Sequence, residues 1–318
     1  MDLDGGFKAS QTALATALMR AIHTRLDRNP LIDDPWGERI VPSSVQQRFR
    51  EAALSRMDSR AQAEARAAPG SILDTSLRAS PAYAGVIMRS RYAEDALRSA
   101  VAGGVRQYVL VGAGFDSFAL RRPAFAQTLE IFEIDHPATQ ALKQQRLREL
   151  GLEPPAVHYI AADLSTESLA SALYRSKFRP LERAFFSWLG VTMYLTRAAN
   201  LATLRAIAGC AASGSELVFT YFDERAFSSD SQSFEELRRR VAAAGEPFQS
   251  GFDPAMLAEQ LRATGFELLD DIAERDLLER LDPQGSSGLK AGRFSHLAHA
   301  LTAARQTAEL VSHSKDSS

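Results

Sequence analysis

The segment Gln107-Tyr-Val-Leu-Val-Gly-Ala-Gly-Phe-Asp-Ser117 constrains this chain more than any other: an apolar run ends in Gly112 and Gly114 and reaches Asp116. About twenty residues on stands Phe132-Glu-Ile-Asp-His-Pro137. Val109 to Val111 reads as a parallel strand buried on both faces. The two glycines let the backbone turn sharply beneath a ligand, where any Cβ would clash. An acid at the end of the next strand can take two hydrogen bonds from ribose hydroxyls. Glu133 and Asp135 are the candidates, and Asp135 stands last. This order of features is that of a nucleotide-cofactor site.

The loop also discriminates between cofactors. A dinucleotide loop wants a third small residue three positions after the second glycine and a helix N-terminus aimed at a pyrophosphate. Ser117 holds that position, with Asp116 just before it. A carboxylate there repels a pyrophosphate but suits a cationic group such as the amino group of a methionine moiety. S-adenosylmethionine is therefore favoured over NAD.

With 318 residues, of which 45% are hydrophobic, the chain can bury one large core or two small ones. It has no apolar run of about eighteen residues to span a bilayer. Its first residues, Met1-Asp-Leu-Asp-Gly-Gly-Phe-Lys8, lack the basic and apolar regions of a signal peptide. A soluble, cytoplasmic protein is the expectation, and the abundance of Ala and Arg points to a bacterial, GC-rich source. A net charge of −2 offers no general attraction to nucleic acid or anionic membrane. Arg238-Arg-Arg240 follows Glu235-Glu236 and reads as a solvated helix face. Cys210, the only cysteine, excludes an intramolecular disulfide and reads as a small buried hydrophobe.

From about residue 106 to 222 strand-like and helix-like segments alternate, which implies right-handed crossovers and a parallel sheet. Strands are expected at 107–111, 129–135, 157–161, 184–189 and 216–222. Pro137 opens a helix that Gly151 ends, residues 168–177 form a second, and Thr196 caps a third that stops at Gly209. Upstream, residues 10–100 show helical periodicity broken at Asn29-Pro30, Asp34-Pro35 and Ala68-Pro-Gly70. Downstream, 233–244 and 253–264 read as helices, 265–270 as a strand, and 293–301 fits strand or helix. Gly245-Glu-Pro-Phe-Gln-Ser-Gly-Phe252 is the loop best suited to touch substrate, and 312–318 reads as a disordered tail.

Together several motifs resemble the leucine carboxyl methyltransferase-like family, in its bacterial branch of S-adenosylmethionine-dependent methyltransferases. They are Gln11-Thr-Ala-Leu14, Leu31-Ile-Asp-Asp-Pro35, Arg89-Ser-Arg-Tyr-Ala-Glu-Asp95, Val111-Gly-Ala-Gly-Phe-Asp116, Phe132-Glu-Ile-Asp-His-Pro137, Ala162-Asp-Leu164, Trp188-Leu-Gly-Val-Thr-Met-Tyr-Leu195 and Gly245-Glu-Pro-Phe248. The resemblance implies a class I methyltransferase fold, a Rossmann-like doubly wound α/β sheet of seven mostly parallel strands. Residues 1–100 would form a helical cap or lid, and 101–311 the S-adenosylmethionine-binding domain with a substrate-facing insertion near 223–264. The donor would rest on Gly112, Ala113, Gly114 and Asp116, with Asp135 on the ribose and Asp163 and the Leu164 backbone on adenine. An Asp163 that merely caps the following turn is the plainer alternative. The family's arginine for the donor carboxylate maps to Arg89 first and Arg91 second, against a surface ion pair with Glu94 or Asp95. Many relatives carry Glu where this chain has Leu189, so Asp116 or backbone carbonyls would have to satisfy the donor's ammonium. Trp188 and Tyr194 either line the cleft or pack in the core.

The activity implied is O-methylation, an in-line displacement in which the protein aligns the reactants and keeps the pocket dry. It requires no metal. A carboxylate acceptor needs no base, whereas a phenol or enol would call on His136 or Tyr194; no catalytic base is assigned. The expected acceptor is a small organic carboxylate or hydroxyl compound in an apolar pocket closed by the cap and the loop 245–252. Alternatives are a protein carboxyl methyltransferase, an NAD(P)-dependent oxidoreductase and a non-catalytic S-adenosylmethionine-binding module.

Overall fold

The strand that carries the glycine loop is apolar on both sides, and this alone demands cover above and below it. In the computed structural model, β1 (Gln107–Val111) is buried along its whole length. Val109 and Val111 join one hydrophobic cluster, while Tyr108 and Leu110 join the other. The structure describes residues 9–58, 62 and 70–304. The tail expected at 312–318, the last residues of the domain expected at 101–311, and Ala68 and Pro69 of one expected break lie outside them.

Seven strands form one sheet in the order β3-β2-β1-β4-β5-β7-β6. β2 (Glu130–Asp135), β3 (Val157–Ala161), β4 (Ala184–Trp188) and β5 (Glu216–Phe222) run parallel to β1. Each falls within a residue of its expected bounds. β6 (Phe266–Ala273) and β7 (Ser295–Thr302) are antiparallel to each other, and β7 lies between β5 and β6. The segment 293–301, which fitted either state by its own pattern, is a strand because both of its neighbours pair with it. β6 also runs beyond its expected end at 270.

Before the sheet come α1 (Gln11–Leu26), α2 (Gly37–Ile40), α3 (Ser43–Leu54), α4 (Gly70–Arg78) and α5 (Tyr83–Ala102). The Ser10 side chain caps α1 by accepting from the Ala13 amide at 3.0 Å. The breaks at Pro30 and Pro35 fall between α1 and α2, as expected. α5 serves two cores: Val86 and Ile87 pack with Met19 and Ile22 of α1, whereas Met88, Tyr92 and Leu97 pack on the sheet. The helical segment is therefore fixed to the sheet through α5.

Within and after the sheet lie α6 (Phe118–Arg121), α7 (Pro137–Glu149), α8 (Leu169–Tyr174), α9 (Arg197–Cys210), α10 (Gln232–Ala243), α11 (Leu257–Ala263) and α12 (Glu274–Leu281). Pro137 stands in the first turn of α7, and Gly151, at φ +65°, follows its end. α8 is shorter than its periodicity implied. The segment 253–264 divides into a 3-10 turn at Pro254–Met256 and α11. α6 and α12 carried no periodic signal long enough to be expected. Cys210 is buried at the end of α9, in the cluster formed by β1, α8, α9 and α11.

One buried polar network holds the upstream helices together. His23 Nε2 accepts from the Leu31 amide at 2.8 Å, so the proton sits on Nδ1, which donates to Asp27 at 2.5 Å. Asp27 also accepts from the Tyr83 hydroxyl at 3.1 Å and from Arg78. Burial lowers the His23 pKa from its usual 6.5, while Asp27 pulls the other way. The unfolded chain therefore takes up the proton first on acidification. The stability that neutral His23 confers is complete above about 6.5 and is lost as pH falls through the folded value. Denaturant unfolding at pH 7.5 and 5.5 should show an acid loss that His23→Gln lacks, bounded by one proton at about 1.4 kcal/mol per pH unit. Equal losses in the two proteins would exonerate His23.

Candidate functional site

The neighbours of β1 are β2 on one side and β4 on the other, so successive crossovers leave in opposite directions and open a crevice at the strands' C-terminal ends. The glycine loop sits in that crevice. The Gly112 and Ala113 amides both donate to the Ile134 carbonyl of β2, at 2.9 and 3.0 Å. Gly112 has φ +71°, and a Cβ on it would meet Val191 Cγ2 at 2.4 Å. Gly114 has φ +52°, and its Cβ would meet Ala13 of α1 at 2.9 Å. These are places where only glycine fits.

Asp135 ends β2 and fastens the loop: its carboxylate accepts from the Gly114 amide at 2.5 Å and from the His136 amide at 2.7 Å. Burial raises its pKa, and those two amides oppose the shift. Asp116 lies further along the loop and accepts from the Phe118 amide at 2.7 Å through one oxygen. Gly112, Ala113, Gly114, Asp116, Asp135 and Arg89 all face one cavity of about 810 Å³.

Arg89 comes from α5 and lies flat on Gly190, whose absent Cβ would sit 2.5 Å from the guanidinium nitrogens. Among the described residues its guanidinium makes no ion pair or hydrogen bond. Burial lowers its pKa to about 10, with Tyr194 and Glu274 opposing. It is still a cation at neutral pH, and one that lacks a direct counter-ion inside a cavity. Arg91 instead pairs with Asp95 at 2.7 Å and with the Leu31 carbonyl at 2.9 Å, which removes it as the second choice. Leu189 also lines the cavity, so that position offers the donor's ammonium no carboxylate.

The roof comes from α1, α3, α4 and α10 and from residues 245–249. The Thr12 amide and hydroxyl both donate to Glu246, at 3.2 and 2.6 Å, closing the start of α1 onto that loop. The loop in turn is tied to the segment after β4, since the Gln249 amide donates to the Met193 carbonyl at 2.7 Å. Tyr194 lines the cavity against Phe248, with ring centroids 5.4 Å apart. Burial pushes its phenol up to about 12, and a hydrogen bond with Thr12 opposes this. Arg20 of α1 also reaches the cavity wall; it pairs with buried Asp34 at 2.7 Å and donates to the Phe115 carbonyl at 2.9 Å.

Several residues named from sequence lie elsewhere. Glu133 is buried in an ion pair with Lys143 at 2.5 Å, which leaves Asp135 as the ribose candidate. Asp163 follows β3 beside β2, but its carboxylate accepts from the Ser165 amide and hydroxyl at 2.9 and 2.6 Å, and these bonds hold its pKa down. Neither Asp163 nor Leu164 lines the cavity; capping the following turn is what Asp163 does here. Trp188 is fully buried in the core. His136 caps α7, its Nδ1 accepting from the Ala138 amide at 3.3 Å. Arg238 pairs with Glu235 as a solvated face would, yet Arg240, paired with Glu236, also lines the cavity. Thr12, Arg20 and Gly190 were not singled out, although Thr12 and Gly190 stand inside motifs that were.

The leucine carboxyl methyltransferase family model matches residues 13–208. YktD of Bacillus subtilis, assigned by name to the S-adenosyl-L-methionine-dependent methyltransferases, is 28% identical over 310 residues, covering 92% of this chain and 98% of its own. Rv3399 of Mycobacterium tuberculosis, named for the same activity, is 30% identical over 254 residues, covering 79% of this chain and 68% of its own. A crystal structure of a protein assigned as a methyltransferase from Thermobifida fusca superposes with a TM-score of 0.55 at 16% identity, covering 73% of this chain and 87% of that one. At that identity the likeness supports the fold.

Asp135 thus has two tasks, presenting acceptor oxygens to the cavity and fixing the glycine loop. Asp135→Asn should weaken binding of S-adenosylhomocysteine by about 10- to 100-fold, since charge-assisted hydrogen bonds become neutral ones. Asp135→Ala should weaken it more, because the Gly114 amide also loses its partner. Calorimetry on both folded variants checks this; wild-type affinity in either would remove Asp135 from the site.

Proposed function

The chain belongs to the leucine carboxyl methyltransferase family and is an S-adenosyl-L-methionine-dependent methyltransferase; from that premise we propose that its acceptor is an oxygen atom, most simply a carboxylate, of a small organic molecule. The residues present fit the donor. Gly112 and Gly114 line the cavity at positive φ, where Val191 and Ala13 leave no room for a Cβ, and among the described residues Arg89 is a cation without a direct counter-ion. Arg89 would take the donor's carboxylate, Asp116 its ammonium and Asp135 its ribose. When bound, the donor supplies a methyl group on a sulfonium, which an acceptor oxygen takes by in-line displacement while the carbon–sulfur electron pair stays on sulfur.

The observation that carries the acceptor reading is the lining of the cavity beyond the glycine loop. Phe49, Leu73, Leu77, Val241 and Phe248 supply an apolar wall, and the Thr12–Glu246 contact closes it. A volume of about 810 Å³ falls in the range of small-ligand sites and has to hold donor and acceptor together. Tyr194, with its phenol held near 12, stays protonated at neutral pH and is no base there. A carboxylate acceptor is already ionised and asks for none. The chain's part is to orient the two ligands and to exclude water.

Labelled donor incubated with the enzyme and either a bacterial small-metabolite extract or a protein extract tests this. Label should enter the small-molecule fraction, and label confined to protein would overturn the reading. With a carboxylate acceptor, kcat should stay level between about pH 6 and 9 and survive Tyr194→Phe. A kcat rising tenfold per pH unit would point to a base and to a hydroxyl acceptor.

A further inference from the structure

We infer that the acceptor carries a second, anionic group, which remains unmethylated and is held at the cavity mouth by Arg48 and Arg56; this rests on the reading of the cavity as a donor and acceptor site. At about 100° per residue, positions 48, 49, 52 and 56 fall in one stripe of α3 and the turn that follows it. Arg48, Phe49, Ala52 and Arg56 all line the cavity. Val45, which falls in the same stripe near the start of α3, and Ala53, beside it, are buried. Phe49 and Ala52 continue the apolar wall, whereas Arg48 and Arg56 are exposed to solvent and so mark its rim. Among the described residues neither guanidinium makes an ion pair or a hydrogen bond. Arg240, on α10, adds a third guanidinium to the lining, although Glu236 already engages it at 2.6 Å.

The acids of the same cavity stand on other elements than α3. Asp116 and Asp135 belong to the C-terminal ends of β1 and β2, and Glu246 to the loop after α10. Each is already fastened: Asp116 to the Phe118 amide, Asp135 to the Gly114 and His136 amides, Glu246 to Thr12. The lining therefore combines carboxylates at the donor loops, apolar side chains, and two guanidiniums that no described residue engages. A ligand complementary to the acceptor part has a reacting oxygen near the donor loops, an apolar body, and a distal carboxylate, phosphate or sulfate. Guanidinium forks suit such oxyanions geometrically, and a site half shielded by protein strengthens the attraction over that of a free surface pair. With a dicarboxylate, methyl transfer would turn the inner carboxylate into an ester and leave the outer one charged.

Monomethyl decanedioate and dimethyl decanedioate, titrated by calorimetry into enzyme saturated with S-adenosylhomocysteine, separate the outer charge from the body. The monomethyl ester should bind about tenfold or more tightly, and in the Arg48→Ala/Arg56→Ala double variant that preference should fall below about twofold. Unchanged thermal unfolding and an unchanged S-adenosylhomocysteine affinity show that the double variant is folded. Equal affinities in the wild type, no binding of either ester, or a preference that survives the double substitution would overturn the inference. Failure of S-adenosylhomocysteine to bind the wild type would instead overturn the donor reading, and this inference with it.

Discussion

The buried pair Arg20–Asp34 is the contact on which the working parts depend. Asp34 is fully buried, and the arginines beside it, Arg20 from α1 and Arg121 from α6, hold its carboxyl below the usual range against the cost of burial. Arg20 spends another nitrogen on the Phe115 carbonyl, inside the glycine loop. One carboxylate therefore joins the first helix, the loop between the first two helices and the floor of the crevice. Removing either partner of such a pair leaves a buried charge uncompensated, a cost of about 3–5 kcal/mol. The roof of the cavity is consequently registered to its floor by charge as well as by apolar packing.

The sheet was legible in the sequence because each parallel strand is a short apolar run buried on both faces, bounded by residues with a definite local meaning: Pro137 at a helix start, Gly151 at its end, Thr196 as a cap. Local pattern lost its power where pairing decides the state. Residues 293–301 became a strand only because β5 and β6 flank them. α6 is too short to show a period, and the 3-10 turn before α11 is set by Asp253, whose side chain accepts from the Ala255 amide.

The floor of the site was legible for a different reason: glycine at positive φ and an acid at a strand end are properties of single positions. Gly112, Gly114 and Asp135 come together as their spacing implied. Motif order alone could not choose between Arg89 and Arg91, two residues apart on one helix; their surroundings do, since Arg91 turns to Asp95 and Arg89 to the cavity. The same holds for Glu133 and Asp135, two residues apart on one face of β2: Glu133, inside the strand, meets Lys143, whereas Asp135, at its end, reaches the crevice. The roof was least legible. Thr12 and Glu246 are 234 positions apart, and nothing in either neighbourhood announces the other.

The placement of β7 has a consequence for how the chain reaches this state. β6 touches the sheet only through β7, which also supplies the partner that β5 lacks on its outer side. During synthesis from the N-terminus, β1 to β5 and the crevice between β1 and β4 can form while β5 still has a bare edge and β6 has no neighbour at all. Residues 295–302 then close both ladders in one step. Until they emerge, the nascent chain presents an unpaired apolar strand, Leu217 to Phe222, of the kind that recruits other chains. The interval between making β5 and making β7 is thus a window of exposure to aggregation, and its length is set by the residues that separate the two strands.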